Sequence, residues 1–557
     1  MKIMKKILLM AALSVTTMPL AAQETYENAK IAQEDLNGTA RYVGMGGAME
    51  ALGADISTIS TNPAGIGMFR KSNISASFGL VSQSDVSNAV GGNKTNASFD
   101  QIGVVISTRM APTSYLNFGF NFHKSRNFDM ILSASSSLNK ASLNKLTYNK
   151  GVNELVFPQE KGVDIYKKNA DGKIVGYNHR PDFNRYPYFT ANQLDDMLAR
   201  EYNWENIKDD QGKIVDHEWN FDNADAYRFD RAHKGYIGVY DFNISGNINN
   251  RVYLGLTVGI HDVHYKHYSE YTENMVTAKP YQVTVADDRE ITGSGVDVKF
   301  GIIVRPVEES PFRIGLSVAT PTFYELRTSN YTYIVDSNNS SVNSRTVNDA
   351  NNGRTNYKFR LYTPWKFGVS LGHTIGSQVA MGLSYEYADY GSMDTRVITD
   401  EYYNSWSDTY SRRSDSDKVM NDHTGRTLKG VHTIKAGLEV KPVQDFPLAL
   451  RAGYNYVSPM YNEDGFKDGS LNSYGSYVSS ATDFTNWEGT HRVTVGAGYS
   501  FDKFNVSLAY QLSTTKGEFY PFMSYTDKYV PGDTNIVDGV SVKNIRHQLL
   551  CTLGYTF

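Results

Sequence analysis

Residues able to do chemistry are few and awkwardly spaced in this chain. His261, His264 and His267 stand three residues apart, a set that could in principle hold a haem iron. In an extended chain successive side chains point to opposite faces, so these three cannot converge unless the ladder breaks there. No serine is expected in a nucleophile elbow, and no His-Glu-x-x-His sequence occurs, which leaves acyl transfer and zinc hydrolysis without their usual residues. Gly44-Met45-Gly46-Gly47 lacks the following lysine that a phosphate loop requires. Glu463-Asp464-Gly465 and Asp209-Asp210-Gln211-Gly212 lack the spacing of a calcium loop and read as turns. The single cysteine, Cys551, excludes an intrachain disulfide framework and any multi-cysteine metal site. No catalytic residue, metal or cofactor is expected.

What remains is a pattern of charges and glycines on one side of apolar runs. Asp241, Asp297, Lys299, Arg305, Arg313, Glu386, Lys435, Glu439, Arg451, Arg492 and Arg546 fall on the faces opposite the greasy ones. Such charges require a wet or paired interior, and Arg313, Glu386, Lys435, Glu439 and Arg451 are the leading lumen candidates. Glycine recurs on those faces at Gly255, Gly259, Gly301, Gly315, Gly368, Gly437, Gly453, Gly496, Gly498 and Gly554. Glycine weakens a strand, so its repetition there predicts close approach by another backbone.

The elements that carry these faces are β-strands. Residues 545–557 alternate from Ile545 to a terminal Phe557, with one apolar face and one mostly small or polar. The same alternation marks Ile74–Leu80, Ile102–Ile106, Leu116–Phe122, Tyr236–Ile244, Val252–Ile260, Phe300–Val304, Phe312–Val318 and Phe367–Leu371. It returns at Met381–Tyr387, Ile434–Val440, Leu448–Tyr456, Val493–Phe501 and Phe504–Leu512. With the last strand these make about fourteen, an even number as bacterial barrels require. Short links near Ala111–Ser114, Asn247–Asn250, Pro306–Pro311, Gly376, Pro442–Pro447 and Asp502–Lys503 alternate with long polar ones such as Ser329–Arg354, Thr395–Arg426 and Met460–Trp487. The fold class expected is all-β, a 14-stranded antiparallel transmembrane barrel. Its longest extracellular loop is expected at 137–233, with a short helix carrying Leu194, Met197, Leu198 and Tyr202.

Composition agrees. The chain has 557 residues, 13% aromatic residues, 46 glycines and a formal charge of −4. That balance gives no electrostatic reason for a nucleic-acid partner. Mean hydropathy is −0.43, and past the N-terminus no stretch approaches the ~18 apolar residues of a membrane helix. Lys2, Lys5 and Lys6 precede the apolar run Ile7–Leu13 and the small residues Ala21 and Ala22, the layout of an export signal spanning 1–22. Residues 23–72 remain to fill the barrel, and 73–557 to form it.

In that leading segment, Ala40-Arg41-Tyr42-Val43-Gly44-Met45-Gly46-Gly47-Ala48 and Asp55 to Gly65, including Asn62-Pro63-Ala64-Gly65, resemble the N-terminal hatch of the FadL/TodX family. Arg313-Ile314-Gly315-Leu316 and Leu450-Arg451-Ala452-Gly453-Tyr454 agree more loosely. The resemblance implies an outer-membrane transporter of long-chain fatty acids and other hydrophobic compounds in a Gram-negative cell. It implies a hatch that gates through Asn62, Pro63, Ala64 and Gly65, and sideways exit at a kinked third strand. The candidate break is His123-Lys124-Ser125-Arg126, where charges interrupt the alternation of Leu116–Phe122. Expected partners are a hydrophobic small molecule, outer-membrane lipid and lipopolysaccharide, and the barrel-assembly machinery through the C-terminal strand. Some relatives are labelled hemin receptors, so a haem receptor and a plain diffusion porin are the competing functions. An apolar groove is expected to capture the cargo, since each buried CH₂ contributes about 0.8 kcal/mol.

Overall fold

A computed structural model describes residues 24–143, 145–146, 166–168, 170, 174–177, 203–208, 211–220, 222–337, 355–404, 409–443, 446–467, 483–526 and 534–557. The expected export signal, and the helix expected near Leu194 to Tyr202, lie outside the described residues.

Alternating strands close into one antiparallel barrel of fourteen. In chain order they are β1 (Asn73–Gln83), β2 (Thr95–Ala111), β3 (Ser114–Asn127, resuming as Met130–Ser137) and β4 (Asn223–Ile248). Then come β5 (Val252–Val276), β6 (Tyr281–Val304), β7 (Arg313–Ala319 and Phe323–Asp336) and β8 (Lys366–Ile375, preceded by Thr355–Tyr362). β9 comprises Val379–Asp389 and Asp394–Asn404; β10 comprises Thr409–Ser416 and Gly430–Val440. β11 (Leu448–Val457), β12 (Phe484–Phe501), β13 (Phe504–Tyr520) and β14 (Val540–Thr556) complete the wall. Closure is made by β1 against β14, with Ile74 opposite Tyr555 and Gln83 opposite Arg546.

The outward faces form a band of exposed apolar side chains, among them Phe78, Ile106, Phe118, Phe242, Leu256, Phe300, Leu383, Val495, Leu508 and Leu553. In water such a band would be an aggregation surface; around a closed barrel it is the lipid-facing belt. No described helix is long and apolar enough to cross a membrane. The short connections are tight turns: Asn249 and Asn250 (φ 53° and 52°) and Asp502 (φ 51°) take the left-handed conformation there, which Asn and Asp tolerate best.

Several strands outrun the apolar alternation that announces them. β4, β5 and β6 have 26, 25 and 24 residues, against the roughly 9–11 that cross a bilayer. The residues 223–233, expected inside the long loop, are therefore strand. Likewise 329–336, 395–404 and 409–416 are strand within segments expected to be links. Beyond the membrane no face meets lipid, so the outward face turns polar, while Val263, Tyr265, Tyr271, Val283 and Ile291 are buried on the inner face as the ladder continues.

Residues 24–72 run down the inside of this cylinder. Helix α1 (Thr25–Ala32) is held in the outer half: Tyr26 stacks on Tyr461 with ring centroids 5.4 Å apart, and the Asn28 side chain donates to Thr395 at 2.8 Å. Thr25 pairs with His423 Nδ1 at 2.9 Å on helix α3 (Lys418–Thr427), which interrupts β10. Helix α2 (Ala40–Gly44) is capped by Thr39, and its Ala40 N–H donates to Thr552 of β14 at 2.7 Å. Two 3₁₀ turns, Ile56–Ser60 and Pro63–Met68, then pack on β3 to β6.

Candidate functional site

The Asn62-Pro63-Ala64-Gly65 turn is docked tightly on the wall. Asn62 caps it, its side chain accepting from the Ala64 N–H at 3.2 Å, and Pro63 stands at the first helical position, where a missing N–H costs nothing. Pro63 O accepts from Ser245 at 2.8 Å and Ile66 O accepts from Asn117 at 2.7 Å. The wall makes room by being glycine: a Cβ on Gly255 would overlap the Pro63 carbonyl, and one on Gly301 would overlap Asn62. Gly437 and Gly453 receive the backbone of Met45 and Gly46 in the same way, whereas Gly554 faces only Asn505 and Ile74 of its neighbouring strands.

The five lumen charges all face inward, and they tie the leading segment to the wall. Arg41 grips Glu439 with two bonds of 2.9 Å, and Arg451 donates to the same carboxylate at 2.6 Å. Lys435 pairs with Glu50 at 2.8 Å and lies 3.9 Å from Glu386, while Ser384 donates to Glu50. Arg313 donates to Leu52 O at 3.1 Å. On the opposite wall Lys299 bridges Asp297 (2.8 Å) and Asp241 (3.2 Å), with His261 on Asp297 at 2.9 Å and His123 3.4 Å from Asp241. Buried charges persist when paired in this way. His264 is half exposed beside Asp262, while His261 and His267 are buried, so the three histidines do not converge. Among the described residues no group of His, Cys, Asp and Glu could hold a metal. Gly368-Val369-Ser370-Leu371-Gly372 does spell the nucleophile-elbow pattern, but it lies inside β8 with Ser370 buried in the ladder, not on the strand-to-helix turn that exposes a nucleophile.

The wall itself has a gap. β2 and β3 pair from Ala111↔Ser114 up to Gln101↔His123 and no further, although β2 continues along β1 to Thr95. β3 shifts register against β4 between Lys124 and Arg126, breaks at Phe128-Asp129, and resumes beside β4 alone. Thr95–Asp100 therefore face Lys124–Ile131 without a backbone ladder. The gap lies just beyond Phe99 and Phe122, whose rings stack at 5.9 Å at the edge of the lipid-facing belt. Of the four candidate break residues, His123 is the last in the ladder and Lys124, Ser125 and Arg126 border the gap. The chain break two residues later, at Phe128-Asp129, carries no charge run that could have marked it.

Side chains bridge the gap. Lys124 donates to Ser98 at 3.3 Å, and Gln83 exchanges two bonds of 2.8 Å with the backbone of Ile131. From inside, the Asp35 N–H donates to Ser125 O at 2.7 Å, and Asn37 donates to both Lys124 O and Asp100 at 3.1 Å. Asp35 and Asn37 thus cross the unpaired stretch of wall from the lumen side. A chamber of about 220 Å³ lies behind it, lined by Asp35, Asn37, Arg126, Asp129, Arg492 and Arg546 among others. A small pocket in the wall, lined by Val81, Gln83 and Asn96, shares Asp129, Asn544 and Arg546 with that chamber. The chamber is of mixed character rather than the expected apolar groove: Glu34, Lys299 and Arg492 line it together with Phe128, Met130, Val239, Tyr265 and Trp487.

Burial raises the Asp35 carboxyl, but Arg126, Arg546 and Arg492 outweigh it and hold the group below the ordinary carboxylate range.

A plugged, side-notched barrel is the result. No family model matches the sequence, and no curated protein matches it. Among solved structures the chain is similar to a Pseudomonas aeruginosa FadL homologue, at 10% identity over 94% of this chain and 100% of that one, with a TM-score of 0.48. It is similar to the Ralstonia pickettii toluene transporter TbuX, at 10% identity over 94% and 99% of the two chains, TM-score 0.44. It is likewise similar to the P. putida toluene transporter TodX, at 10% identity over 94% and 99%, TM-score 0.39.

Proposed function

We propose that this chain is an outer-membrane channel for the uptake of hydrophobic compounds, fatty-acid-like amphiphiles in particular, by hatch-gated diffusion with sideways exit between β2 and β3. The observation that carries this reading is the wall gap of Thr95–Asp100 against Lys124–Ile131, which adjoins the lumen chamber and is covered by side chains, by the β1–β2 link at Gly92 and by a latch, Asp35–Asn37. A greasy cargo that left through the periplasmic end would have to enter water; one that leaves sideways enters lipid, saving about 0.8 kcal/mol for each CH₂ kept out of water. The chamber, at about 220 Å³, is smaller than the roughly 300–1,000 Å³ of ordinary ligand sites. It suits a headgroup with the latch closed, and a whole chain only once the latch has moved.

In this reading the export signal 1–22 is removed, the C-terminal strand is the handle for the barrel-assembly machinery, and the lipid-facing belt meets outer-leaflet lipid and lipopolysaccharide. Residues 24–72 fill the lumen, which disfavours a plain porin.

Uptake of radiolabelled dodecanoate by cells lacking their own fatty-acid channel tests the proposal. Expression should raise the initial rate several-fold, while the purified protein in planar bilayers conducts few ions. Large steady conductance without dodecanoate uptake would make it a porin, and a Soret shift on titration with hemin would favour the haem receptor.

A further inference from the structure

Asp35 sits where three cations meet. Arg126 Nη1 lies 2.9 Å from its Oδ1, Arg546 Nη1 3.7 Å from its Oδ2, and Arg492 Nη2 3.8 Å from its Oδ1. The other contacts of these guanidiniums are neutral: Gln33 for Arg126, Asn455 for Arg492 and the Asn127 carbonyl for Arg546, at 3.0, 2.9 and 3.1 Å. Arg126 Nε is buried with no hydrogen-bond partner. Neighbouring Glu34 is already engaged by Lys366 at 2.7 Å, and Asp129 lines the chamber on its wall side. Asp129 and Asp100 feel Arg546 from farther off, and Asp35 is the one carboxylate among the described residues within 4 Å of all three guanidiniums, two of them at more than hydrogen-bonding distance. The same residue, through its backbone N–H, holds Ser125 of the broken wall.

We infer that the Asp35 carboxylate is an internal stand-in for the carboxylate of the cargo, and that a cargo anion replacing it on Arg126, Arg492 and Arg546 releases the Asp35–Asn37 latch from the wall gap. The consequence for transport rests on the channel reading above; the anion site does not. Two carboxylates cannot share the trio without repulsion, so the arriving head competes with the latch. An uncharged chain of equal length has nothing to offer the arginines and leaves the latch closed.

The test uses the full mature chain in nanodiscs, with dodecanoate and dodecanol as probes. Removing the competing charge in Asp35→Asn should tighten dodecanoate about tenfold, the scale of one charge-assisted hydrogen bond, and leave dodecanol unchanged. Arg492→Gln should weaken dodecanoate. In the wild type, saturating dodecanoate should speed amide exchange at Asp35–Asn37, and Asp35→Asn should show that faster exchange without ligand. Unchanged or weaker dodecanoate binding in Asp35→Asn overturns the inference, as does equal release of the latch by dodecanol. If Asp35→Asn fails to assemble, Arg546→Gln carries the same test: unaltered dodecanoate affinity there also overturns it. A binding shift without vesicle permeation would keep the anion site and sink the channel; permeation without a binding shift would do the reverse.

Discussion

Asp35 also sets a pH expectation. Its carboxyl is held below the ordinary range by Arg126, Arg546 and Arg492 against the opposing effect of burial. A lowered folded value means the stabilisation is fully present above the unfolded value of about 3.9 and is lost only as pH falls through the folded one. Exchange at Asp35–Asn37 should therefore be the same at pH 7 and pH 5 once corrected for intrinsic rate; marked loosening at pH 5 would assign the latch to another group. Asn62 makes a different prediction. As the cap of a buried turn, its replacement by Ala should cost about 1 kcal/mol of local stability, read as faster exchange over Ala64–Met68. With Pro63→Ala added, dodecanoate uptake should change while the barrel still assembles, and unchanged uptake would remove this turn from gating. The segment was legible in the sequence through its resemblance to a known hatch motif, and Pro63 added that one backbone angle is fixed there. Asp35 was not, since one acid among fifty-nine acidic residues has no signature until three arginines from β3, β12 and β14 surround it.

At the scale of elements, the glycines of β5, β6, β10 and β11 form a seat for the leading segment. Gly301→Val places a branched side chain against Asn62 and Pro63, an overpacking that costs about 1–3 kcal/mol. The expected result is faster proteolysis of residues 24–72, with the heat-modifiable gel mobility of a folded barrel retained; loss of that mobility would show that the seat is needed for assembly itself. The gap between β2 and β3 belongs to this scale as well. Gln83→Ala removes two bonds of 2.8 Å to Ile131 across the gap, so it should raise uptake rather than lower it. A reduced rate would mean that Gln83 guides the cargo instead of closing the notch.

For the whole molecule the decisive quantity is where charge is allowed. Arg41 and Arg451 share Glu439, and Lys435 separately holds Glu50; breaking one partner of such a buried set costs about 3–5 kcal/mol. Glu439→Ala should accordingly lower the thermal midpoint of the leading segment's release before that of the barrel, seen as two transitions in a melt followed by protease sensitivity. A single unshifted transition would mean that these pairs hold nothing together.

Alternation of apolar and polar residues determined the barrel, its strand number and which face meets lipid, because a period of two at the bilayer leaves a strand only one way to lie. Repeated glycine on the inner face likewise determined that something fills the lumen. Strand length above the membrane escaped the sequence, since the apolar residues of β4 to β6, Val263, Tyr265 and Tyr271 among them, move there to the inner face and the lipid-facing pattern stops. The ladder between β2 and β3 stops where charges interrupt the alternation at His123–Arg126; only the tertiary structure decided that β3 breaks at Phe128-Asp129 and which acid the three arginines share. Arg492 and Arg546 lie hundreds of positions from Asp35 and meet it only inside a closed wall, and neither the break at Phe128-Asp129 nor the placement of Asp35 leaves a local mark.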